Sequence, residues 1–438
     1  MFKTLINAFK IEDLRKKLIY TFLMLIVIRI GSQLPVPGVN RDYFAAWFAA
    51  QNNGAFNFFD AFTGGSFSSM SLFALGVNPY ITSSIIVQLL TIAIPALEEM
   101  QKDGEDGKKK LQKITRYLTI VLALIEAVAM TIGFGNKGLL QEANFINGLG
   151  AVAALVAGSC FVMWIGERIT EKGIGNGISI VLLINIVSRM PDDFVALFHQ
   201  FMNGQPVVKA VIAAIIIVAV VLLTIVLVIF LQDGVRKIPV QYAKKMQGRK
   251  MVGGAATHIP LKVNTAGVIP VIFASSLMSF PGIIMMLIGK SNIEGVGGHI
   301  LNALSQQNWC SLKQPWYSVG LLIYILLVVF FAYFYTSITF NPLEIANNMK
   351  RQGGFVPGIR PGKPTSDFLA KILNYIIFIG AIGLIIVAVI PIFFNGVFGA
   401  SVSFGGTSLI IVVGVVLETI KQVEAQLVNR HYKGFLND

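Results

Sequence analysis

The sequence predicts an all-α polytopic membrane protein, with ten transmembrane helices in two inverted halves of five. Three observations support this fold class. Of the 438 residues, 55% are hydrophobic and 13% are charged, whereas soluble domains carry about 25% charged residues. The cations alternate from loop to loop, and a six-residue pattern occurs once in each half of the chain.

Ten apolar stretches follow one another, and most have the roughly 17–25 residues that a helix needs to cross the hydrocarbon core. The fifth is short, so a buried helix surrounded by protein is the alternative for that segment. The predicted spans are Leu18–Leu34, Ser71–Pro95, Leu118–Phe134, Leu149–Ile165, Ile178–Met190, Val207–Leu231, Ala266–Ile288, Val319–Phe340, Phe368–Phe394 and Ser408–Val423.

The distribution of Lys and Arg predicts the orientation. Of these 35 residues, 28 lie in loops on the N-terminal side of the membrane and six on the opposite side, while Arg29 lies within the first span. The positive-inside rule therefore places both termini in the cytoplasm. It also accounts for most of the net charge of +13, so nucleic-acid binding need not be invoked.

Spans and loops together predict the organisation of the chain. The N-terminal segment places apolar side chains on one helical face, which is typical of a helix on the membrane surface. The predicted segments are the amphipathic N terminus (1–17), spans 1–5 (18–191) with a re-entrant segment at about 56–70, an external loop and span 6 (192–231), a basic cytoplasmic loop (232–265), spans 7–8 (266–340), a cytoplasmic loop with Arg360 at its tip (341–367), spans 9–10 (368–425) and a cytoplasmic tail (426–438).

The segment Gly76–Ile81 recurs as Gly267–Ile272, in the second and the seventh predicted spans. Gly and Pro interrupt both copies, and such breaks persist at membrane depth where other helices or a water-filled cavity satisfy the freed backbone groups. Because each half has an odd number of spans, the halves run in opposite directions, as in many transport proteins. The repeat predicts a pathway between the halves; chance similarity between two apolar helices is the alternative.

Residues 51–70 form an external segment that is too apolar for a solvated loop and too rich in small residues to span. Phe58, Phe59 and Phe62 precede Gly64, Gly65 and a run of serines. This composition fits a re-entrant segment folded back into a cavity. It fits equally an interfacial loop with an aromatic belt.

Two long cytoplasmic loops carry cations. Residues 232–262 contain three Lys or Arg pairs, and residues 341–367 hold Arg360 among Gly and Pro residues that favour tight turns. An arginine on a rigid tip suits bidentate contact with an acidic or phosphate partner. Contact with lipid phosphates is the alternative for most of these cations, but it does not explain the Gly and Pro residues around Arg360.

The sequence predicts no enzyme, metal site or cofactor. The four histidines lie in loops or the tail, the two cysteines are separated by topology, and no nucleotide-binding or hydrolase motif stands in its required context. Glu126 is the one carboxylate well inside a predicted span. It indicates either a gate or coupling-ion site, or a structural hydrogen bond to a neighbouring helix.

Several motifs together resemble those of the SecY family of protein-conducting channels. They are Arg29–Gly38, Ala74–Ile81, Gly166–Ser179, Thr257–Asn264, Phe355–Gly362 and Phe404–Ser408. They occur in the family's order over nearly all ten spans, and their combination is specific. The resemblance implies a channel that passes unfolded secretory chains across the membrane and releases transmembrane segments sideways into lipid.

The resemblance also implies roles for individual residues. The second and third spans would face the seventh and eighth across a lateral gate, and an aliphatic pore ring would resist water and ions by dewetting; ordinary packing is the alternative for aliphatic residues. The implied sets are a pore ring of Val77, Ile81, Ile178, Leu182, Ile272 and Ile411, a plug with Phe59, Phe62, Gly64, Gly65 and Phe67, a polar gate cluster of Thr82, Glu126 and Asn264, and a docking site for a motor or ribosome with Arg249, Lys250 and Arg360.

The implied partners are the membrane subunits SecE and SecG, the SecA motor, the ribosome, secretory preproteins with their signal peptides, and anionic lipids. The implied location is the bacterial cytoplasmic membrane. An ion-coupled secondary transporter of a small solute is the rival prediction, based on the repeat and on Glu126. A passive scaffold would explain the cationic loops but not the broken repeated spans.

Overall fold

The computed structural model describes residues 6, 8–50, 60, 62–135, 140, 144–202, 206–242, 245–247, 250–252, 256–287, 296–304, 309–310, 315–398 and 406–434. Helices dominate these residues, and strands occur in one region. The helices are α1 Glu12–Gly31, α2 Arg41–Ala50, α3 Asn78–Ala93, α4 Pro95–Lys102, α5 Gly104–Phe134, α6 Phe145–Lys172, α7 Gly177–Phe201, α8 Val207–Asp233, α9 Ile269–Leu287, α10 Val296–Leu304, α11 Val319–Thr339, α12 Pro342–Arg351, α13 Lys363–Phe398 and α14 Gly406–Gly434. The strands are β1 Val235–Tyr242, β2 Lys245–Gln247, β3 Lys250–Val252, β4 Ala256–Lys262 and β5 Gly354–Phe355.

Each of the ten predicted spans overlaps one helix of the structure: α1, α3, α5, α6, α7, α8, α9, α11, α13 and α14. By length and apolarity alone, five helical stretches of the described residues qualify as membrane spans, and a sixth if the bent pair α3 and α4 counts as one. The helices at the first, fifth and tenth spans also carry several charged residues, and the seventh has a shorter apolar stretch. The chain is thus a multi-pass membrane protein.

Helices at matching positions in the two halves have the same neighbours. In each half the second helix packs on the third, the third on the fourth and the fourth on the fifth, while the first packs on the fourth and fifth. The main contacts between the halves join α7 to α14 and α5 to α9. The predicted division into two repeated halves is therefore visible in the packing.

The repeated six-residue pattern has the same local structure in both copies. Gly76 and Gly267 have positive φ angles, +56° and +65°, which only glycine adopts without strain. The helices α3 and α9 begin two residues later, each with a proline in its second position, where a missing N–H costs nothing. The repeat is therefore structural and not a chance similarity.

Two predicted spans have different bounds in the structure. The second span does not begin as a helix at residue 71, because α3 starts at Asn78; it then bends by 108° into α4 at Pro95, since proline disfavours helical geometry in the residue before it. The fifth span is longer than predicted, because α7 continues through Pro191 to Phe201. Residues 192–201, predicted as external loop, are therefore helical.

The basic connection between α8 and α9 is not a plain loop. Strand β1 pairs antiparallel with β4 along its length and with β5 at its end, giving the strand order β4-β1-β5, and β2 pairs with β3. The helical fold class is confirmed, and among the described residues the strands are confined to this connection and to residues 354–355. Strand β1 forms because buried and exposed residues alternate along it. Ile238 and Val240 are buried while Lys237 and Pro239 are exposed, and this period of two is that of a half-buried strand.

Candidate functional site

The largest apolar core of the described residues lies between the two halves. All six residues of the predicted pore ring belong to it: five are buried, and Ile178 is half-buried and packs against them. They come from the start of α3 and from the first two turns of α7, α9 and α14. The structure thus brings the six residues into one apolar core; a single constriction formed by them stays a prediction.

Local sequence explains why these side chains point inward. Ile178 and Leu182 are four residues apart in α7, and Val77 and Ile81 have the same spacing at the start of α3, so each pair shares a helical face. Gly166 in α6 leaves space for the Ile178 side chain, which would clash with any Cβ atom there. The glycine in this motif therefore permits close packing of α6 on the start of α7.

The segment that precedes α3 is folded back among the helices. None of its described residues, 60 and 62–77, is exposed. Phe62 packs into the core with the predicted ring residues. Phe67 packs in a neighbouring core, with its ring centroid 5.5 Å from that of Phe44 in α2. The re-entrant interpretation is confirmed over the interfacial loop; Phe59 lies outside the described residues.

Side chains of α1 and α7 hold this segment. The Asn185 Nδ2 atom donates to the Phe62 carbonyl oxygen at 3.0 Å, and the Arg29 guanidinium donates to the Gly64 carbonyl oxygen at 3.4 Å. Arg189 forms an ion pair with the buried carboxylate of Asp60. These hydrogen bonds give partners to backbone carbonyl groups that lie in the protein interior.

Sequence reasoning missed these holding residues. Arg29 was predicted only as a cation within the first span. Arg189, at the end of the predicted fifth span, was counted only among the cations of the external side, and the structure places it well inside α7. Asp60 and Asn185 were assigned no role. One signal in the sequence could have identified Arg29 and Arg189. A charged side chain within an apolar helix needs a partner, and the re-entrant segment provides that partner.

Of the predicted polar gate cluster, Thr82 lies on α3, Glu126 lies on α5 and Asn264 lies in the turn before α9. The helices α5 and α9 are in contact across the two halves. Thr82 and Glu126 are half-buried and Asn264 is buried. The Asn264 Nδ2 atom donates to the Gly267 carbonyl oxygen at 2.9 Å, within the turn before α9. The Glu126 Oε2 atom is buried without a hydrogen-bond partner among the described residues. Within that part of the chain, no hydrogen bond joins the three residues to one another, so their gating role stays a prediction.

The basic strand region and the loop that carries Arg360 lie together, and they are called the cation-rich end here. A separate small core at this end supports the Arg360 tip. Ile238 and Val240 of β1 pack in this core with Val356 beside the tip and with Leu369 of α13. Turns with positive φ at Gly358 and Gly362, +83° and +102°, flank the exposed Arg360. The tip is thus a constrained projection, as predicted.

The Arg360 backbone is fixed as well, because its carbonyl oxygen accepts a hydrogen bond from the Thr365 hydroxyl at 2.8 Å. Its side chain forms no hydrogen bond or ion pair with another described residue, so the guanidinium is available to a partner. Of the other predicted docking residues, Arg249 lies outside the described residues. Lys250 begins β3, but its side chain is not described.

No metal site was predicted, and among the described residues no group of three or more His, Cys, Asp or Glu side chains could hold a metal ion. Cys160 and Cys310 are both free.

Comparison with known proteins assigns the family. The SecY family model matches residues 71–420. The chain belongs to the SecY family. Protein translocase subunit SecY of Halalkalibacterium halodurans is 44% identical over 443 residues, and that of Bacillus subtilis is 43% identical over 447; each alignment covers all of both chains.

Solved structures of the same fold support this assignment. One, described as "The structure of a protein conducting channel", has a TM-score of 0.66 at 20% identity and covers 94% of this chain and 93% of that chain. Sec61 in the canine ribosome-channel complex from the endoplasmic reticulum has a TM-score of 0.61 at 19% identity, covering 94% and 93%. The predicted channel fold and family resemblance are confirmed.

Proposed function

We propose that the chain forms a protein-conducting channel that translocates unfolded secretory polypeptides across the membrane and releases transmembrane segments laterally into lipid. The observation that carries this proposal is the apolar core between the two halves, into which a buried segment folds that is mostly turns and contains no membrane-spanning helix. A segment of this kind can leave the core without breaking a membrane-spanning helix. It is therefore suited to be a displaceable plug.

An aliphatic collar suits a polypeptide substrate. A translocating chain varies in charge and size, so fixed polar groups in the pore would bind some segments and retard them. Aliphatic side chains make no such specific contact, and a collapsed collar excludes water and ions by dewetting. Val77, Ile81, Ile178, Leu182, Ile272 and Ile411 would supply this collar.

Lateral release requires a seam between the halves. The contact of α5 with α9 is the candidate seam, while the contact of α7 with α14 on the other side of the core would be the hinge. Each Leu or Ile contributes about −0.3 to −0.6 kcal/mol to membrane insertion, so an apolar helix of roughly 20 residues gains several kcal/mol by entering lipid. That gain is sufficient to direct a hydrophobic segment out of the pore.

The cation-rich end would be the cytoplasmic docking side, by the positive-inside rule. Arg360, together with Arg249 and Lys250, would bind the SecA motor or a ribosome, and anionic lipids would contact the remaining cations. SecE and SecG would be the membrane partners. The bacterial cytoplasmic membrane, with both termini inside, is the proposed location.

Reconstitution into liposomes tests the proposed function. The chain, purified with SecE and SecG, should export an unfolded preprotein when SecA and ATP are added. Ion-coupled uptake of a small solute without export would instead establish the rival transporter function.

Crosslinking tests the pathway itself. Cysteine placed at Ile81 or Ile272 should crosslink to an arrested secretory chain. Cysteine at Ile92, which belongs to the same helix as Ile81 but has a side chain 53% exposed toward lipid, is the matched control. Equal crosslinking at position 92 would contradict a pore between the halves.

A further inference from the structure

One face of α7 changes from apolar to polar along its length. Ile178 and Leu182 belong to the predicted ring, and Asn185 and Arg189 follow at the same helical spacing, so all four share a face. Asn185 is 4% exposed. The described residues that precede α3, 60 and 62–77, are called the plug segment here. The polar part of this α7 face contacts the plug segment, Asn185 through a hydrogen bond and Arg189 through an ion pair.

Asp60 organises the plug segment that Arg189 contacts. Its side chain is fully buried. One carboxylate oxygen, Oδ1, accepts the Ser68 backbone N–H at 2.7 Å, and the Asp60 backbone carbonyl accepts the Gly65 N–H at 3.1 Å. The other carboxylate oxygen, Oδ2, pairs with Arg189. Asp60 therefore binds Gly65 and Ser68 of the plug segment on one side and attaches the segment to α7 on the other.

Close backbone contact reinforces this attachment. A Cβ atom added at Gly64 would lie 2.9 Å from the Asn185 Cα atom, so the plug segment packs directly on the backbone of α7. The guanidinium of Arg189 passes 3.8 Å from the corresponding position at Gly65. The ion pair thus lies at the end of a fitted contact and is not an isolated surface pair.

The carboxylates of α7 itself are the competing partners of Arg189. Asp192 and Asp193 lie close enough to interact with its charge, and Arg189 keeps 22% of its side chain exposed. Arg189 therefore has alternative partners when the plug departs, whereas Asp60 would leave its buried site. A buried carboxylate without its partner is strongly unfavourable, so the closed position is the one in which the pair is complete.

We propose that Asp60 and Arg189 form an ionic latch that holds the plug segment on α7 in the resting channel, with Asn185 as a neutral second contact. The latch rests on the proposed channel function and names the residues that set how readily the channel opens. A polypeptide entering the core separates the two charges. Asp60 then passes toward water on the external side, and Arg189 pairs with the carboxylates of its own helix.

A double-mutant cycle tests the latch. Asp60→Asn keeps an oxygen that accepts the Ser68 N–H but removes the charge, and Arg189→Gln removes the partner charge. Each single variant should raise resting ion conductance in planar bilayers at least about tenfold. Arg189→Gln leaves the buried Asp60 carboxylate without its partner, and Asp60→Asn lets Arg189 pair with the carboxylates of α7 instead of the plug segment. The double variant should conduct less than either single variant, since neither charge then remains.

A labelling experiment reports plug position without relying on conductance. In a Cys160→Ser, Cys310→Ser background, a cysteine at Phe67 should react faster with a membrane-impermeant maleimide in the Asp60→Asn variant than in the unmodified latch. Asp42→Asn, an exposed carboxylate in α2 that does not contact the latch residues, is the matched control and should change neither readout. Immunoblots of membranes establish that each variant accumulates.

The outcomes separate the latch from the proposed function. Unchanged conductance and labelling in both single variants would overturn the latch, as would single-variant effects that simply multiply in the double variant. Failure of the unsubstituted chain to export a preprotein would instead refute the channel function. The latch would be established if the unsubstituted chain exports a preprotein and the double variant raises conductance by less than the product of the two single-variant increases.

Discussion

The connection between the first and second helices of each half differs completely between the two halves. In the first half it consists of α2 and the plug segment, residues 60 and 62–77, and no described residue of the plug segment is exposed. In the second half it is the strand region between α8 and α9, whose strand β1 exposes Arg236 and Lys237. The helices around both connections have matching neighbours. A repeated scaffold therefore carries two structurally different connections.

Composition explains the difference. The plug segment is rich in Phe, Gly and Ser, so it can bury side chains and turn tightly but cannot sustain a strand ladder. The strand region alternates apolar residues with Lys, Arg and Gln, which favours a half-buried sheet in water. We expect damage to the first region to affect the seal, and damage to the second to affect docking and export.

The largest expected effect is in the docking region. Arg360→Glu should lower SecA-driven export by more than about tenfold, because reversing a charge at a docking contact costs several kcal/mol, while resting conductance stays normal. Arg351→Glu, an exposed arginine at the end of α12, is the control of equal charge change. Normal export in the Arg360 variant, measured in proteoliposomes, would remove the docking role from the tip.

The ring shared by both halves comes next. Replacing Ile81 and Ile272 together with Gly should raise resting conductance severalfold, because a wider and less apolar waist is wetted more easily. The control variant replaces Ile92 and Leu277 with Gly. These residues are 53% and 51% exposed on the same two helices, and their replacement lowers helix propensity by about the same amount. Equal leakage from both double variants in planar bilayers would argue against a ring at positions 81 and 272.

The sheet core gives a smaller effect that is confined to the cation-rich end. Ile238→Ala should destabilise the sheet by about 2–5 kcal/mol, as expected when a buried isoleucine is truncated, whereas Val235→Ala should cost much less because Val235 is 38% exposed. The rates of hydrogen exchange at the β1 amides measure the loss of sheet stability in each variant. Faster exchange in the plug segment as well would show that the two connections are not independent.

The smallest effect compares the two glycines of the repeat. Gly76→Ala and Gly267→Ala each place a side chain at positive φ, which costs roughly 1–2 kcal/mol. At Gly76 the new Cβ atom would also lie 3.0 Å from Thr63 Cγ2 in the plug segment, whereas at Gly267 it would meet no atom within 4 Å. The thermal unfolding midpoint in detergent should therefore fall further for Gly76→Ala. Equal shifts would mean that the plug adapts freely to the added methyl group.

Much of the site was predictable because its residues belong to local patterns. The pairs Val77 with Ile81 and Ile178 with Leu182 have helical spacing next to glycines, and the aromatic and glycine-rich composition of residues 51–70 indicated a re-entrant segment. The strands of the basic connection were missed because charged residues there were interpreted only as topology. The Asp60–Arg189 pair was missed because its members are 129 positions apart, and no local spacing connects them.

The sequence by itself determined the membrane class, the order of the apolar helices and the repeat, since hydropathy and glycine placement are local properties of the chain. The tertiary structure alone decided which helices enclose the apolar core and where the plug segment lies. It also decided which buried charged side chains form ion pairs. These depend on long-range packing, because the free energy of a buried charge is set by whatever partner the fold brings to it.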